Sequence, residues 1–368
     1  MSVPEPPTIA SSLPTHSKIA AGETRLPALR RLALSPSLAL ALTIGIFVLY
    51  GVTQTSSFAS GAVWINILRD ASFTAIVASF EAIVIIGGGL DLSVGSVFAA
   101  GAMVSAALAF HGQSPFVAFA GGIMVGAGVG LVNGLIVNYC SIPAIIVTLG
   151  TMFGVSSLVV HFSQGQPIAP LPTSFTYIGQ HNLFGVPYII YVALAIAVVA
   201  FLLLHSTTIG WNIRALGANR EAARSSGIRV RPLSICLYVS CAAAAAFAGG
   251  LEAARLGAGS PDFGTGLELT VIAAAIIGGT SINGGLGTIP GAVLGSLLLS
   301  VLATGLILLH IDPTLQQLAT GIVLVLAAGL DQFRRRKMFR TSARHARAAE
   351  NPQPANGMSE SPVRRSRP

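Results

Sequence analysis

Ten long apolar runs recur along the chain, near residues 36–53, 71–88, 93–110, 116–138, 144–161, 187–204, 234–256, 269–283, 288–309 and 314–331, separated by short polar or glycine-rich breaks. An α-helix rises about 1.5 Å per residue, so about 20 apolar residues cross a hydrocarbon core about 30 Å thick. The pattern predicts an all-α polytopic membrane protein with about ten transmembrane helices. An even number returns the chain to its starting side, so both termini belong together. The run at 269–283 is short, and the glycine-rich breaks near 87–89 and 283–287 fit broken or re-entrant segments. Irregular backbone at membrane depth needs protein or a water-filled cavity beside it. Pro115, Pro143 and Pro187 stand at the starts of runs, and Asp312–Pro313 reads as an N-cap followed by proline at the first helical position. The longest break on the far side, residues 162–186, carries a proline- and glycine-rich stretch and reads as a small cap.

Composition agrees with this pattern. Of 368 residues, 53% are hydrophobic and only 9% charged, against about 25% charged in soluble domains. The net charge of +8 is not a nucleic-acid signal, because its distribution explains it. Four Lys and Arg lie in the N-terminal tail, five in the loop at 205–233 and ten in the C-terminal tail; only Arg69 and Arg255 lie elsewhere. Basic loops resist translocation, so both termini and the central loop are expected on the cytoplasmic side. The domain reading is a disordered tail at 1–34, a transmembrane domain at 35–333 and a basic disordered tail at 334–368. Cys140, Cys236 and Cys241 have neither disulfide nor metal spacing and read as small buried residues. No metal site is expected.

The central loop carries Arg214, Arg220, Arg224, Arg229 and Arg231 against one acid, Glu221. Asn219 reads as an N-cap, Glu221 sits near the positive end of the helix dipole within reach of Arg224, and Gly227 can end the helix in the left-handed conformation. The expected helix runs from Arg220 to Ser226, with small residues at Ala222 and Ala223. So short a helix is marginal in water. It either folds on the bilayer surface or packs against another partner.

Two glycine series repeat every four residues: Gly122, Gly126, Gly130, Gly134, and Gly287, Gly291, Gly295. Each lines one helix face and lets a neighbouring backbone approach closely, either within the chain or between two copies of it. In Gly87–Gly95 three glycines precede Asp91 and Ser93, which fit a buried helix cap or a polar point on a solute path. Glu81 lies inside an apolar run, where a carboxylate is costly. It fits either ion coupling or a buried interhelical hydrogen bond. Glu252 and Arg255 are spaced to pair. Asp70, Asp262, Glu268 and Asp312 fall on the outer side. A phosphate-binding P-loop needs Gly-x-x-x-x-Gly-Lys-Ser/Thr. The only lysines, Lys18 and Lys337, follow Ser17 and Arg336, so the chain has no such ATPase motif and does not read as an enzyme.

Three stretches together carry a family resemblance: Gly217–Ile228, Gly87–Gly95, and Gly278–Gly285 with its Thr280, Ser281 and Asn283. They resemble the membrane permease subunits of bacterial ABC sugar importers of the ribose/xylose type, across most of residues 60–333. The resemblance implies a multi-pass protein of the bacterial inner membrane that works as a homodimer. It implies two further partners, a separate ABC ATPase that binds ATP and Mg and a periplasmic solute-binding protein. It assigns ATPase coupling to Asn219, Arg220, Glu221, Ala222, Ala223, Arg224 and Gly227. It marks Asp91, Ser93, Thr280, Ser281 and Asn283 as candidate path residues. An ion-coupled secondary transporter and an ABC permease for branched-chain amino acids are the alternatives.

Overall fold

The computed structural model describes residues 56–310 continuously, with isolated helical positions between 40 and 53 and at 318, 321 and 322. The expectations for both tails, for Asp312–Pro313 and for the runs at 36–53 and 314–331 fall wholly or mostly outside these residues. After a 3-10 turn at Ser56–Ala59 come α1 (Gly61–Ile86), α2 (Val94–Phe110), α3 (Pro115–Tyr139) and α4 (Ala144–Ser163). The cap follows as α5 (Thr173–Gln180) and a two-stranded antiparallel hairpin, β1 (Asn182–Leu183) with β2 (Val186–Pro187). Then come α6 (Tyr188–Ser206), α7 (Thr208–Ala218), α8 (Arg220–Ser225), α9 (Val230–Leu256), α10 (Leu267–Ile277) and α11 (Ile289–Leu308). Among the described residues five helices, α3, α4, α6, α9 and α11, are long and apolar enough to cross a membrane; α2 and α10 are shorter apolar helices.

The helix starts follow local chemistry. Ser60, Ser114 and Thr288 accept backbone N–H bonds through their side chains at α1, α3 and α11, and Pro115 and Pro290 occupy first-turn positions where no N–H is needed.

The core is organised around α9, which packs most extensively against α3 and α2 and also against α1 and α5. Small residues make this possible: Ala242, Ala245, Ala246, Ala248 and Ala253 are all fully buried. A Cβ added at Gly126 would lie 2.5 Å from the Ala242 carbonyl oxygen, and one at Gly134 would lie 2.9 Å from the Ile235 α-carbon. Gly130 faces the Tyr238 carbonyl and Gly122 the Ser105 hydroxyl. In the second series Gly291 meets the backbone of Gly278, Gly295 meets that of Ala274, and Gly287 faces the Ile86 side chain. Both series thus have neighbours within this chain.

Contacts sort the loops onto two ends. At one end lie Ile86, Asn138, α7, α8 and the 278–288 turn: Arg220 donates to Asn138 Oδ1 at 2.6 Å, and Gly285 N–H donates to the Ile86 carbonyl at 2.8 Å. At the other lie the start of α1, the cap and the 257–266 loop: Arg255 pairs with Asp70, Gln180 donates to the Arg255 carbonyl, and Ile168 bridges Gly259. Phe175 of the cap stacks on Phe119 with ring centroids 4.9 Å apart.

Several expectations change. The polar stretch after His205 is not all loop, because α7 occupies Thr208–Ala218. Thr207 caps it and Gly210, Ile213 and Leu216 form its buried face. Cys140 and Cys236 are exposed on the chain, and only Cys241 is buried. The α10 helix stops at Ile277 rather than near 283. Its 11 residues span about 16 Å, roughly half a bilayer core. The 257–266 loop reaches inward to meet it: Gly264 lies against the Gly95 carbonyl, near the start of α2.

The glycine faces give a direct test. Gly126→Val inserts a side chain against an α9 backbone that cannot retreat, an overpacking cost of about 1–3 kcal/mol or more. Gly128, on the same helix, has nothing within 4 Å of an added Cβ. Thermal unfolding in detergent should show a lowered midpoint for Gly126→Val and an unchanged or slightly raised one for Gly128→Ala.

Candidate functional site

The first site is α8 and its surroundings. Asn219 Oδ1 accepts the Ala222 N–H at 3.0 Å, satisfying one of the free donors of the first turn. At the other end Gly227 N–H donates to the Arg224 carbonyl at 3.0 Å and Ile228 N–H to the Ala223 carbonyl at 3.1 Å. Gly227 has φ +86°. This paired closure around a left-handed glycine stops the helix after less than two turns. The side chains divide: Glu221, Ala222, Arg224 and Ser225 are exposed, whereas Ala223 is 3% exposed and packs inside the chain. The two alanines therefore do not share one outward patch. Among the described residues no ion pair joins Glu221 to Arg224. Arg220 reaches Asn138, which also donates to Ser234 Oγ at 3.0 Å, so α8 is anchored to the end of α3 and the start of α9.

The second site is a buried polar chain at the Gly87–Ser93 break. After Ile86 the backbone doubles back, and Asp91 N–H donates to Glu81 Oε1 at 3.1 Å. Cys241 Sγ–H of α9 donates to Glu81 Oε2 at 3.3 Å. Asp91 Oδ1 accepts both the Ser93 N–H (2.9 Å) and its hydroxyl (2.6 Å). Asn133 Nδ2 of α3 donates to Ser93 Oγ at 2.9 Å, and Thr151 Oγ1 of α4 donates to Asn133 Oδ1 at 2.6 Å. Ser93 sits at the N-cap position of α2, but its side chain makes no cap bond; the hydroxyl is committed to Asp91. Glu81, Asp91, Ser93 and Asn133 are all fully buried, and Asp91 Oδ2 has no partner among the described residues. Asn133 and Thr151 were not singled out in the sequence, although each is a polar side chain inside an apolar run, and Cys241 was read only as a small buried residue.

Thr280, Ser281 and Asn283 stand apart from this chain, in the turn between α10 and α11. Thr280 is fully buried with its hydroxyl unpartnered among the described residues, Ser281 Oγ accepts the Asn283 N–H at 3.3 Å, and Asn283 is exposed. The turn holds left-handed glycines at 279, 284 and 285.

One residue joins these elements. Gly217, at the end of α7, is wedged where a Cβ would strike the Ile86 carbonyl and lie 2.7 Å from the Gly285 nitrogen. Gly88 and Gly284 also face Gly217, and Gly285 faces Ala218. Arg214 Nη1 donates to the Gly287 carbonyl at 3.3 Å. Gly217 lies three residues before Arg220, so α8 hangs from the point where both broken segments meet. Among the described residues no group of three His, Cys, Asp or Glu side chains is placed to hold a metal.

Glu81 tests the polar chain. Glu81→Ala strands the buried Asp91 N–H, a cost of about 1–3 kcal/mol, before the lost packing is counted. Glu81→Gln keeps an oxygen for that N–H. Unfolding in detergent should show Glu81→Gln much closer to the wild type than Glu81→Ala; equal losses would contradict a structural hydrogen-bond role.

Comparison with known proteins gives the family of the chain. The family model described as the permease component of branched-chain amino acid transport systems matches residues 63–328. The ribose import permease protein of Escherichia coli strain K12 is 37% identical over 270 residues, 72% of this chain and 84% of the relative. The D-allose transport system permease protein of the same strain is 33% identical over 268 residues, 73% and 82% of the two chains. Its L-arabinose transport system permease protein is 35% identical over 265 residues, 72% and 81%. No solved structure matches. The chain is a multi-pass membrane protein, and it belongs to the family of transport-system permease components that includes these sugar permeases.

Proposed function

We propose that the chain is the solute-conducting subunit of a bacterial inner-membrane ABC importer for a monosaccharide, working as a homodimer with a separate ATPase and a periplasmic solute-binding protein. The relatives named for ribose import and for allose and arabinose transport support the solute class. The distribution of basic residues favours the α7–α8 end as the cytoplasmic one, with both termini on that side. The 257–266 loop and the cap then face the binding protein.

The observation that carries the mechanism is the wedge at Gly217. A partner gripping α8 holds a lever fixed to α3 and α9 through Asn138 and Ser234. The lever reaches the end of α1 and the turn after α10 through Gly217. Closure of the ATPase pushes on Glu221, Ala222, Arg224 and Ser225, and Asn219 and Gly227 hold the short helix in shape. Arg220 serves as the anchor and Ala223 as the packed inner side. The movement passes to the Gly87–Ser93 and Thr280–Gly285 segments, beside which the solute crosses. Asp91 and Ser93 form the buried floor of that route, and Thr280, Ser281 and Asn283 line its cytoplasmic exit. Weak binding along the way lets the solute leave, so selectivity resides mainly in the binding protein.

Ala222 is exposed and Ala223 is not, so the two should separate docking from folding. Ala222→Trp should leave expression and melting near wild type while abolishing co-purification with the ATPase and ATP-driven sugar uptake. Ala223→Trp should lower the melting midpoint instead. Wild-type uptake by Ala222→Trp would remove the docking role. A cysteine at Ser225, in a chain lacking its native cysteines, should react with an impermeant maleimide only from the cytoplasmic face.

A further inference from the structure

At the end opposite α8 a cavity of about 310 Å³ opens between α1, α2, the last turns of α9 and the inward-reaching 263–267 segment. Its walls combine two chemistries. Phe73, Phe98 and Phe263 supply ring surface, and Asp70, Glu252 and Arg255 supply charge. Arg255 binds Asp70 Oδ1 at 2.6 Å and Glu252 Oε2 at 3.5 Å, and its guanidinium carbon lies 5.6 Å from the Phe73 ring centroid. The guanidinium is thus held between two carboxylates and an aromatic face, a fixed arrangement rather than scattered surface charge. The two carboxylates retain lone pairs for hydroxyl donors. Beside the cavity Gly95, two residues from Ser93, packs against the Gly264 carbonyl and the Glu268 carboxylate.

We propose that this cavity is a way-station for a single neutral monosaccharide on its route from the binding protein to the buried Asp91–Ser93 floor; the inference rests on the sugar-importer reading above. A monosaccharide has hydroxyl edges and apolar C–H faces, the two surfaces that carboxylates with a guanidinium and phenyl rings can match. Two carboxylates against one guanidinium disfavour an anion, and three charged groups disfavour a purely apolar solute. The volume is at the small end for ligand pockets, which suits one sugar ring and not two. The mouth is open and Asp70 is 47% exposed, so binding is weak and release is easy.

The test uses the full chain assembled with its ATPase in vesicles, with Cys140→Ser, Cys236→Ala and Thr265→Cys. Thr265 lines the cavity and is exposed. Labelling by an impermeant maleimide from the outer face is followed with D-ribose, D-allose, L-arabinose or D-galactose at millimolar concentration. At least one sugar should slow labelling several-fold, and Phe263→Ala or Glu252→Gln should remove the protection. No protection by any of the four, equal protection by choline, or protection that survives Phe263→Ala would overturn the site. Saturation-transfer NMR of the same sugars on the cysteine-intact complex, with Phe263→Ala as the comparison, gives the same decision should Thr265→Cys not assemble. ATP-driven uptake by the unaltered complex with its binding protein is measured in parallel. Loss of uptake of all four sugars would count against the proposed function, whereas uptake without protection would count against this site alone.

Discussion

The Ile86 carbonyl accepts the Gly285 amide at 2.8 Å, and the backbone of Gly217 is pressed against both. This three-way backbone contact is the constraint on which the rest of the molecule depends. In a bilayer, chain that leaves a helix must find hydrogen-bond partners in protein or in a water-filled cavity. The segments at 87–93 and 278–288 do so by folding onto each other and onto the end of α7. Side chains would keep these backbones apart, which is why the meeting point is built from Gly88, Gly217, Gly284 and Gly285.

From that point the molecule divides into a scaffold and a working part. The scaffold is α9 with the glycine face of α3 and the crossing of α2, where alanines and glycines bring helix axes close in the absence of a strong hydrophobic force between helices. The working part is the set of interrupted elements: the doubled-back segment after α1, the half-length α10 and the turn after it. The buried chain from Glu81 through Asp91, Ser93 and Asn133 to Thr151 ties the first of these, the doubled-back segment, to the scaffold. Its hydrogen bonds connect α1, α2, α3 and α4.

Much of this was legible in the sequence, and the part that was not has physical reasons. The apolar runs marked the helices because twenty apolar residues have few alternatives to crossing a bilayer. Asn219 and Gly227 marked α8 because capping is local chemistry. The α7 helix escaped notice because Arg214 and Asn212 interrupt its apolar content, although Thr207 followed by Ile213 and Leu216 at a spacing of three was a signal. The meeting of Glu81 with Asp91 was hidden, because it depends on a reversal of direction over three glycines that spacing alone does not specify. Asn133 and Thr151 were likewise hidden: a polar side chain in an apolar run shows that a partner is needed but not which helix provides it. The separation of Ala222 from Ala223 depends on tertiary packing, which a six-residue helix cannot reveal on its own.

The proposed coupling depends on Gly217 transmitting movement from α8 to the interrupted segments. The most direct measurement is the ratio of sugar imported to ATP hydrolysed by the reconstituted complex carrying Gly217→Val. The added side chain has no room beside Ile86 and Gly285, while the exposed face of α8 is untouched. The account predicts that the ATPase still binds and still hydrolyses ATP, and that import falls at least about tenfold, a difference of about 1.4 kcal/mol or more in the coupled step. Import at the wild-type ratio in a normally assembled complex would contradict it.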